Sequence, residues 1–150
     1  FELFTMTHYN FNDDLKDGLD AENEVKELLK LHFNVADSDI ESSTSKGYDL
    51  KINSLGLTFE VKNDLMAEKT GNIAVEYESR GKASGLSTTT ADFWVYKFSG
   101  VYYMLETSRL KTELFSNKNY WKDVTGGDWG SNTKMYLVKV PNFKSWGEQL

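Results

Sequence analysis

Cysteine is absent from the 150-residue chain. That excludes disulfides and thiolate metal sites, and makes a reducing, cytoplasmic setting the expected one. Histidine occurs twice, at His8 and His32, too few for a His-based zinc site. Nucleophilic catalysis of the Ser–His or Cys–His kind therefore lacks support. No apolar run reaches membrane-spanning length and no stretch reads as a signal peptide, so no membrane is expected. Positive charge is also short: 17 Lys and Arg stand against 23 Asp and Glu, a net charge of −6. Bulk electrostatic coating of nucleic acid is thereby disfavoured, and any such contact has to come from a local basic loop.

What is present fits one domain over residues 1–150, with 39% apolar and 14% aromatic residues to build a core. Its organising stretch runs from Tyr48 to Asn63. Tyr48, Leu50 and Ile52 alternate with Asp49 and Lys51, and Leu57, Phe59 and Val61 alternate with Thr58, Glu60 and Lys62. A period of two predicts two half-buried strands joined by a hairpin turn at Asn53-Ser54-Leu55-Gly56. Alternation places Glu60 and Lys62 on one face, with Asp49 on the matching face of the partner strand, away from the apolar side chains. Two close carboxylates repel, and a hard divalent cation relieves them. A cation there polarises a phosphate and lowers the pKa of a water, while an ammonium offsets charge on the phosphorane. The plainer reading is a solvated hairpin face with a Glu–Lys cross-strand pair.

Asp49 followed by Glu60-Val61-Lys62 resembles the active-site motif of the PD-(D/E)xK nuclease superfamily, with Tyr48 where the Pro of that name would stand. The resemblance implies that Asp49, Glu60 and the Val61 carbonyl bind magnesium, with manganese as a substitute, and that Lys62 assists the attacking water. On that reading Lys62→Ala is a surface change worth no more than about 1 kcal/mol of stability.

Residues 18–32 give the best helix. Ala21, Val25, Leu28, Leu29 and His32 form an apolar stripe, Asp17 or Asp20 caps it, and acids crowd its first turn. Glu22 and Glu24 flank the stripe on opposite sides, and periodicity alone does not say which faces the hairpin. The run Gly18-Leu19-Asp20-Ala21-Glu22 is similar to the first helix of the archaeal Holliday-junction resolvases, which belong to the same superfamily. By that resemblance Glu22 is a further catalytic, metal-site carboxylate and Glu24 an ordinary helix residue. A first-turn acid favoured by the helix dipole is the alternative.

The remaining chain reads as a strand over 33–40, a polar loop over 41–47, and a connection over 63–70. A strand over 72–78 follows, with Glu76 either near the metal site or an edge-strand acid. Residues 79–90 hold two cations and no acid. Arg80, Lys82, Ser87 and Thr88 are its candidate phosphate contacts, against the alternative of a flexible connector. Residues 71–98 also resemble small phage-encoded members of the superfamily. Strands over 92–98 and 101–106, a helix over 108–115, a loop over 117–133 and a last strand ended by Pro141 complete the reading. Within that loop, Trp121 and Trp129 either stack on unpaired bases or tuck over the core. The expected fold is α/β or α+β: a restriction-endonuclease-like core with a central mixed sheet flanked by helices. Its expected activity is a magnesium-dependent DNA endonuclease, resolvase-like on branched DNA and homodimeric. A restriction or repair nuclease, or a non-catalytic binding module, uses the same core.

Overall fold

The computed structural model describes residues 2–4, 11–43, 47–117, 120–127 and 130–150. Its architecture grows from one strand. The expected hairpin forms as β3 (Leu50–Ile52) and β4 (Leu57–Asp64), with Leu50 opposite Phe59 and Ile52 opposite Leu57. Gly56 closes the turn with φ at 66°, a conformation that glycine adopts without a Cβ penalty. β4 pairs in parallel with β7 (Phe93–Phe98) on its other edge, with Glu60 level with Trp94 and Lys62 level with Tyr96. A short strand, β1 (Glu2–Phe4), runs parallel to β4 opposite Lys62–Asp64. Since β7 occupies the other edge there, β1 continues the edge that β3 leaves.

With β2 (Ile40–Ser42), β8 (Val101–Glu106) and β11 (Glu148–Gln149), these strands form a mixed sheet ordered β11-β8-β7-β4-β3-β2, with β1 also on β4. A second, antiparallel sheet holds β5 (Asn72–Ser79), β6 (Lys82–Ala83), β9 (Lys122–Gly126) and β10 (Thr133–Lys139), in the order β6-β5-β10-β9. The helices are α1 (Phe11–Phe33), α2 (Ala67–Thr70), α3 (Thr107–Phe115) and α4 (Val140–Ser145). The chain is thus an α+β fold with a mixed sheet flanked by helices.

Two cores explain the layering. On one face of the large sheet, Ala21, Val25 and Leu29 of α1 pack on Leu50, Ile52, Phe59, Val61 and Val95. On the other face, Trp94, Tyr96 and Phe98 of β7 meet Ile73 and Val75 of the second sheet, Leu110 and Leu114 of α3, and Phe143 of α4. Both faces of β7 are therefore covered, as expected of a strand that is apolar on both.

Several expectations change. α1 begins at Phe11 and so includes the polar 11–17 stretch. The expected strand over 33–40 does not form. Asn34 turns left-handed at φ 53°, ending α1, and a 3-10 turn at Asp37–Asp39 precedes β2. The 117–133 loop contains β9, and Pro141 starts α4 in its first turn, where its missing N–H costs nothing. Glu76 belongs to an inner strand of the second sheet, not to an edge. Residues 79–90 are no flexible connector: Leu86 is fully buried in a 3-10 turn. Gly85 is required there, since a Cβ would lie 2.3 Å from the Glu76 carbonyl oxygen at φ +51°.

At the end of β4, Asp64 is 3% exposed. Its Oδ1 accepts the N–H groups of Met66 and Ala67 at 3.0 Å each, and its Oδ2 that of Ala74 at 2.8 Å. One carboxylate thereby caps α2 and ties β4 to β5. Burial pushes its pKa up, and the three N–H bonds pull it back. Asp64→Ala is expected to lower stability by about 4 kcal/mol, since it orphans buried donors. Asp64→Asn, which keeps an acceptor oxygen, is expected to lower it by less. Urea denaturation of both variants checks this, and equal, near-zero losses would contradict it.

Candidate functional site

β3 separates from β4 at Asp49. The Asp49 N–H still bonds the Phe59 carbonyl at 2.8 Å. One step further along β4, the Val61 N–H is taken by the Asp49 side chain, at 2.7 Å from Oδ2. A carboxylate thus occupies β4's edge between the end of β3 and the start of β1. Asp49 is 8% exposed. Its own carbonyl accepts from the Ser43 N–H at 2.8 Å.

α1 brings a second acid to this edge. Burial first, and then the charge of Asp49, raise the pKa of Glu22, while a hydrogen bond from Ser42 opposes the rise. Glu22 thus lies within reach of Asp49's field. Glu24 points elsewhere. It accepts from the Tyr102 hydroxyl and pairs with Lys97 at 3.3 Å, and its pKa is lowered, chiefly by the Tyr102 bond. Of the two flanking glutamates, Glu22 faces the hairpin.

Glu60 and Lys62 depart from expectation. They share a face, as the alternation requires, but that face is enclosed beneath the second core. Lys62 is 1% exposed. Its ammonium sits 3.3 Å from Glu60 Oε1 and 4.9 Å from the Trp94 ring centroid. Trp94 is fixed in turn by an Nε1–H bond to Thr89 Oγ1 at 3.2 Å. Neither a solvated hairpin face nor a surface lysine describes this arrangement. What Val61 gives the site is its backbone N–H, for its side chain is fully buried.

The four motif residues are gathered along one stretch of β4, but in two pairs: Glu22 with Asp49, and Glu60 with Lys62. Among the described residues, no three His, Cys, Asp or Glu side chains stand together in a metal-holding group. The donor chemistry of Glu22 and Asp49 suits a hard cation, because a half-buried and a buried carboxylate in each other's field gain from one.

The basic stretch meets the site at its far end. The Thr90 N–H donates to the Gly47 carbonyl at 3.3 Å, and Gly47 lies so close that a Cβ would sit 2.1 Å from Thr90 Oγ1. Ser87 and Thr88 are exposed on this strap. Arg80 and Lys82 are exposed at the β5–β6 turn, where the Arg80 N–H bonds the Ser131 carbonyl. Residues 44–46 of the polar loop and Trp129 lie outside the described residues. Trp121 is half-buried against Trp146. Sequence reasoning missed Asp64, Trp94, Thr89 and Ser42. Only Asp64 left a signal, by extending the alternation of Glu60 and Lys62.

No protein-family model matches the chain, and no curated protein matches it.

Two stability measurements follow. Lys62→Met is expected to cost about 3 kcal/mol in chemical denaturation, because it strands Glu60 in a nearly closed site. Adding Glu60→Gln is expected to recover much of that. A loss within 1 kcal/mol would return Lys62 to the role of a surface residue. Glu22 has a raised folded pKa, so the folded state holds its proton more tightly than the unfolded state. Its contribution to stability therefore falls as pH rises from the unfolded value of about 4.5 through the folded one. Without divalent cations, Glu22→Gln is expected to raise stability at pH 7 by up to about 1 kcal/mol. The gain should shrink toward pH 4. A destabilised variant at neutral pH would contradict the raised pKa.

Proposed function

We propose that the chain is a metal-dependent DNA endonuclease with a restriction-endonuclease-like core of the PD-(D/E)xK kind. The reading includes action on branched DNA, as a homodimer, inside the cell. The observation that carries it is the approach of Glu22 to Asp49 at the edge of β4, the strand that also carries the Glu60–Lys62 pair. These residues come from α1, the residue just before β3, and β4, in the order of the resembled family, and acids gathered at some electrostatic cost to the fold mark functional sites.

Glu22 and Asp49 would hold a magnesium or manganese ion. Such an ion supplies polarisation of the scissile phosphate and acidification of a water. Asp49 is oriented by the Val61 N–H, so one of its oxygens is spoken for and the other is presented. Ser42 holds Glu22. Hydrolysis forms one bond from the water oxygen to phosphorus and breaks one ester P–O bond, leaving a phosphate on one fragment and a hydroxyl on the other. Lys62, held by Glu60 and Trp94, offers a fixed positive charge to the phosphorane. Exposed Arg80, Lys82, Ser87 and Thr88 supply phosphate contacts for an otherwise acidic chain.

A second reading, a nuclease-like module that binds without cutting, is favoured by the closure around Lys62. A cleavage assay on plasmid, single-stranded, flap and four-way DNA, with magnesium, manganese or chelator, separates the two. The expected result is metal-dependent cutting that Asp49→Asn and Glu22→Gln each reduce by about a hundredfold or more. DNA binding without cleavage by the parent chain would leave the binding module. Unchanged cleavage by Asp49→Asn would overturn the site.

A further inference from the structure

The two pairs along β4, Glu22 with Asp49 and Glu60 with Lys62, have one segment in common. The strap that leads into β7 reaches both with consecutive residues. Thr90 serves the first: its N–H donates at 3.3 Å to the carbonyl of Gly47, which stands just ahead of Tyr48 and Asp49. Thr89 serves the second through Trp94. Its Oγ1 accepts the indole Nε1–H at 3.2 Å, and the Trp94 ring centroid lies 4.9 Å from Lys62 Nζ.

That link matters because β4 fixes only the backbone of Lys62. A flexible four-carbon stem separates the backbone from the ammonium. Glu60 holds the ammonium from one side at 3.3 Å, and Trp94, level with Glu60 on β7, supplies a flat wall. A ring on a strand has alternative rotamers, and a buried indole N–H needs an acceptor. Trp94 is fully buried, so the rotamer that turns Nε1 to Thr89 is the one that keeps its bond.

Thr89 is itself held in place. Its N–H donates to the Gly85 carbonyl at 3.0 Å, and its Oγ1 also accepts the Ala91 N–H at 3.2 Å. Two N–H groups fill both lone pairs of one hydroxyl. Fully buried Leu86 pins the strap upstream. We propose, resting on the nuclease reading, that Thr89 is a positioning residue for cleavage: through Trp94 it holds the Lys62 ammonium in register with Asp49, which Thr90 and Gly47 fix from the same strap. Thr89 touches no reacting atom. An acceptor that merely satisfied a buried indole would affect stability and leave turnover per folded molecule unchanged.

The test uses the full chain and two readouts. The first is the ring-current shift that Trp94 imposes on the Lys62 methylene protons, followed by NMR in chelator. It reports where the stem lies whether or not the chain cuts DNA. The second is magnesium-dependent cleavage of plasmid DNA, with kcat and KM resolved separately. Thr89→Val keeps the shape and removes the acceptor. It is expected to lose most of the ring-current shift and to lower kcat by about tenfold or more, with KM held within about twofold. Thr89→Ser, which keeps the oxygen, is expected to restore both. Trp94→Phe keeps a ring without an N–H and serves if Thr89→Val does not fold. Alone it is expected to lower kcat by about the same factor as Thr89→Val, and adding Thr89→Val to it is expected to change kcat by less than about twofold. Retention of the ring-current shift in Thr89→Val, loss of the shift with kcat unchanged, a rise in KM in place of a fall in kcat, or independent effects of the two substitutions would each overturn the proposal. A parent chain that cuts no DNA with any metal would remove the nuclease reading, and this role for Thr89 with it, whatever the NMR shows.

Discussion

An ammonium with 1% of its surface exposed has to be neutralised and held, and in this chain β4 sets that constraint. Glu60, Lys62 and Asp64 follow one another on a single face of the strand, and a second sheet closes over it. Each charge has an answer. Glu60 and the Trp94 face meet Lys62, and three backbone N–H groups meet Asp64. Without these partners the layers could not close, since an isolated buried charge is far costlier than the stability of a small domain. The partners in turn fix other parts. Trp94 is tied to Thr89, whose neighbour Thr90 touches Gly47, so the strap after β5 is registered against the hairpin. The Tyr96 hydroxyl bonds the Ala74 carbonyl at 3.0 Å and links the two sheets directly.

The other face of β4 positions the acids. Ala21, Val25 and Leu29 bury one stripe of α1 against Phe59 and Val61. Successive residues turn about 100° around a helix. Glu22, one residue past Ala21, therefore falls on one flank of the stripe, and Glu24, one before Val25, on the other. Seating the stripe sends Glu22 toward Asp49 and Glu24 toward Tyr102 and Lys97. Chemistry at the edge and packing in the core thus share one helix, so the proposed site is a consequence of how α1 lies.

Alternation and apolar runs made the hairpin, β5, β7 and β8 legible in the sequence, because each is a local pattern that burial of one or both faces enforces. The sequence predicted one cluster of Glu22, Asp49, Glu60 and Lys62, whereas these residues fall into two pairs, Glu22 with Asp49 and Glu60 with Lys62. Which flanking glutamate turns inward was not legible, for it depends on how a helix lies over a sheet. Nor was the burial of Lys62 legible. Alternation says that Glu60 and Lys62 share a face, but not what covers that face. The cover is a second sheet assembled from residues 72–139, and its β9 strand, Lys-Asp-Val-Thr-Gly, has too little apolar content to announce itself. At residues 33–40 the single left-handed Asn34 overruled the apolar pattern of Phe33 and Val35.

The central claim is that Glu22 and Asp49 form a cation site at the edge of β4. Paramagnetic broadening by manganese tests it most directly, because it reports where the ion sits without requiring turnover. The expected result is loss of the backbone amide signals of Glu22, Ser43, Asp49 and Val61 at low manganese, with those of Arg80 and Trp146 spared, and recovery of the lost signals in Asp49→Asn. Uniform broadening, or broadening centred on other acids and indifferent to Asp49→Asn, would contradict it.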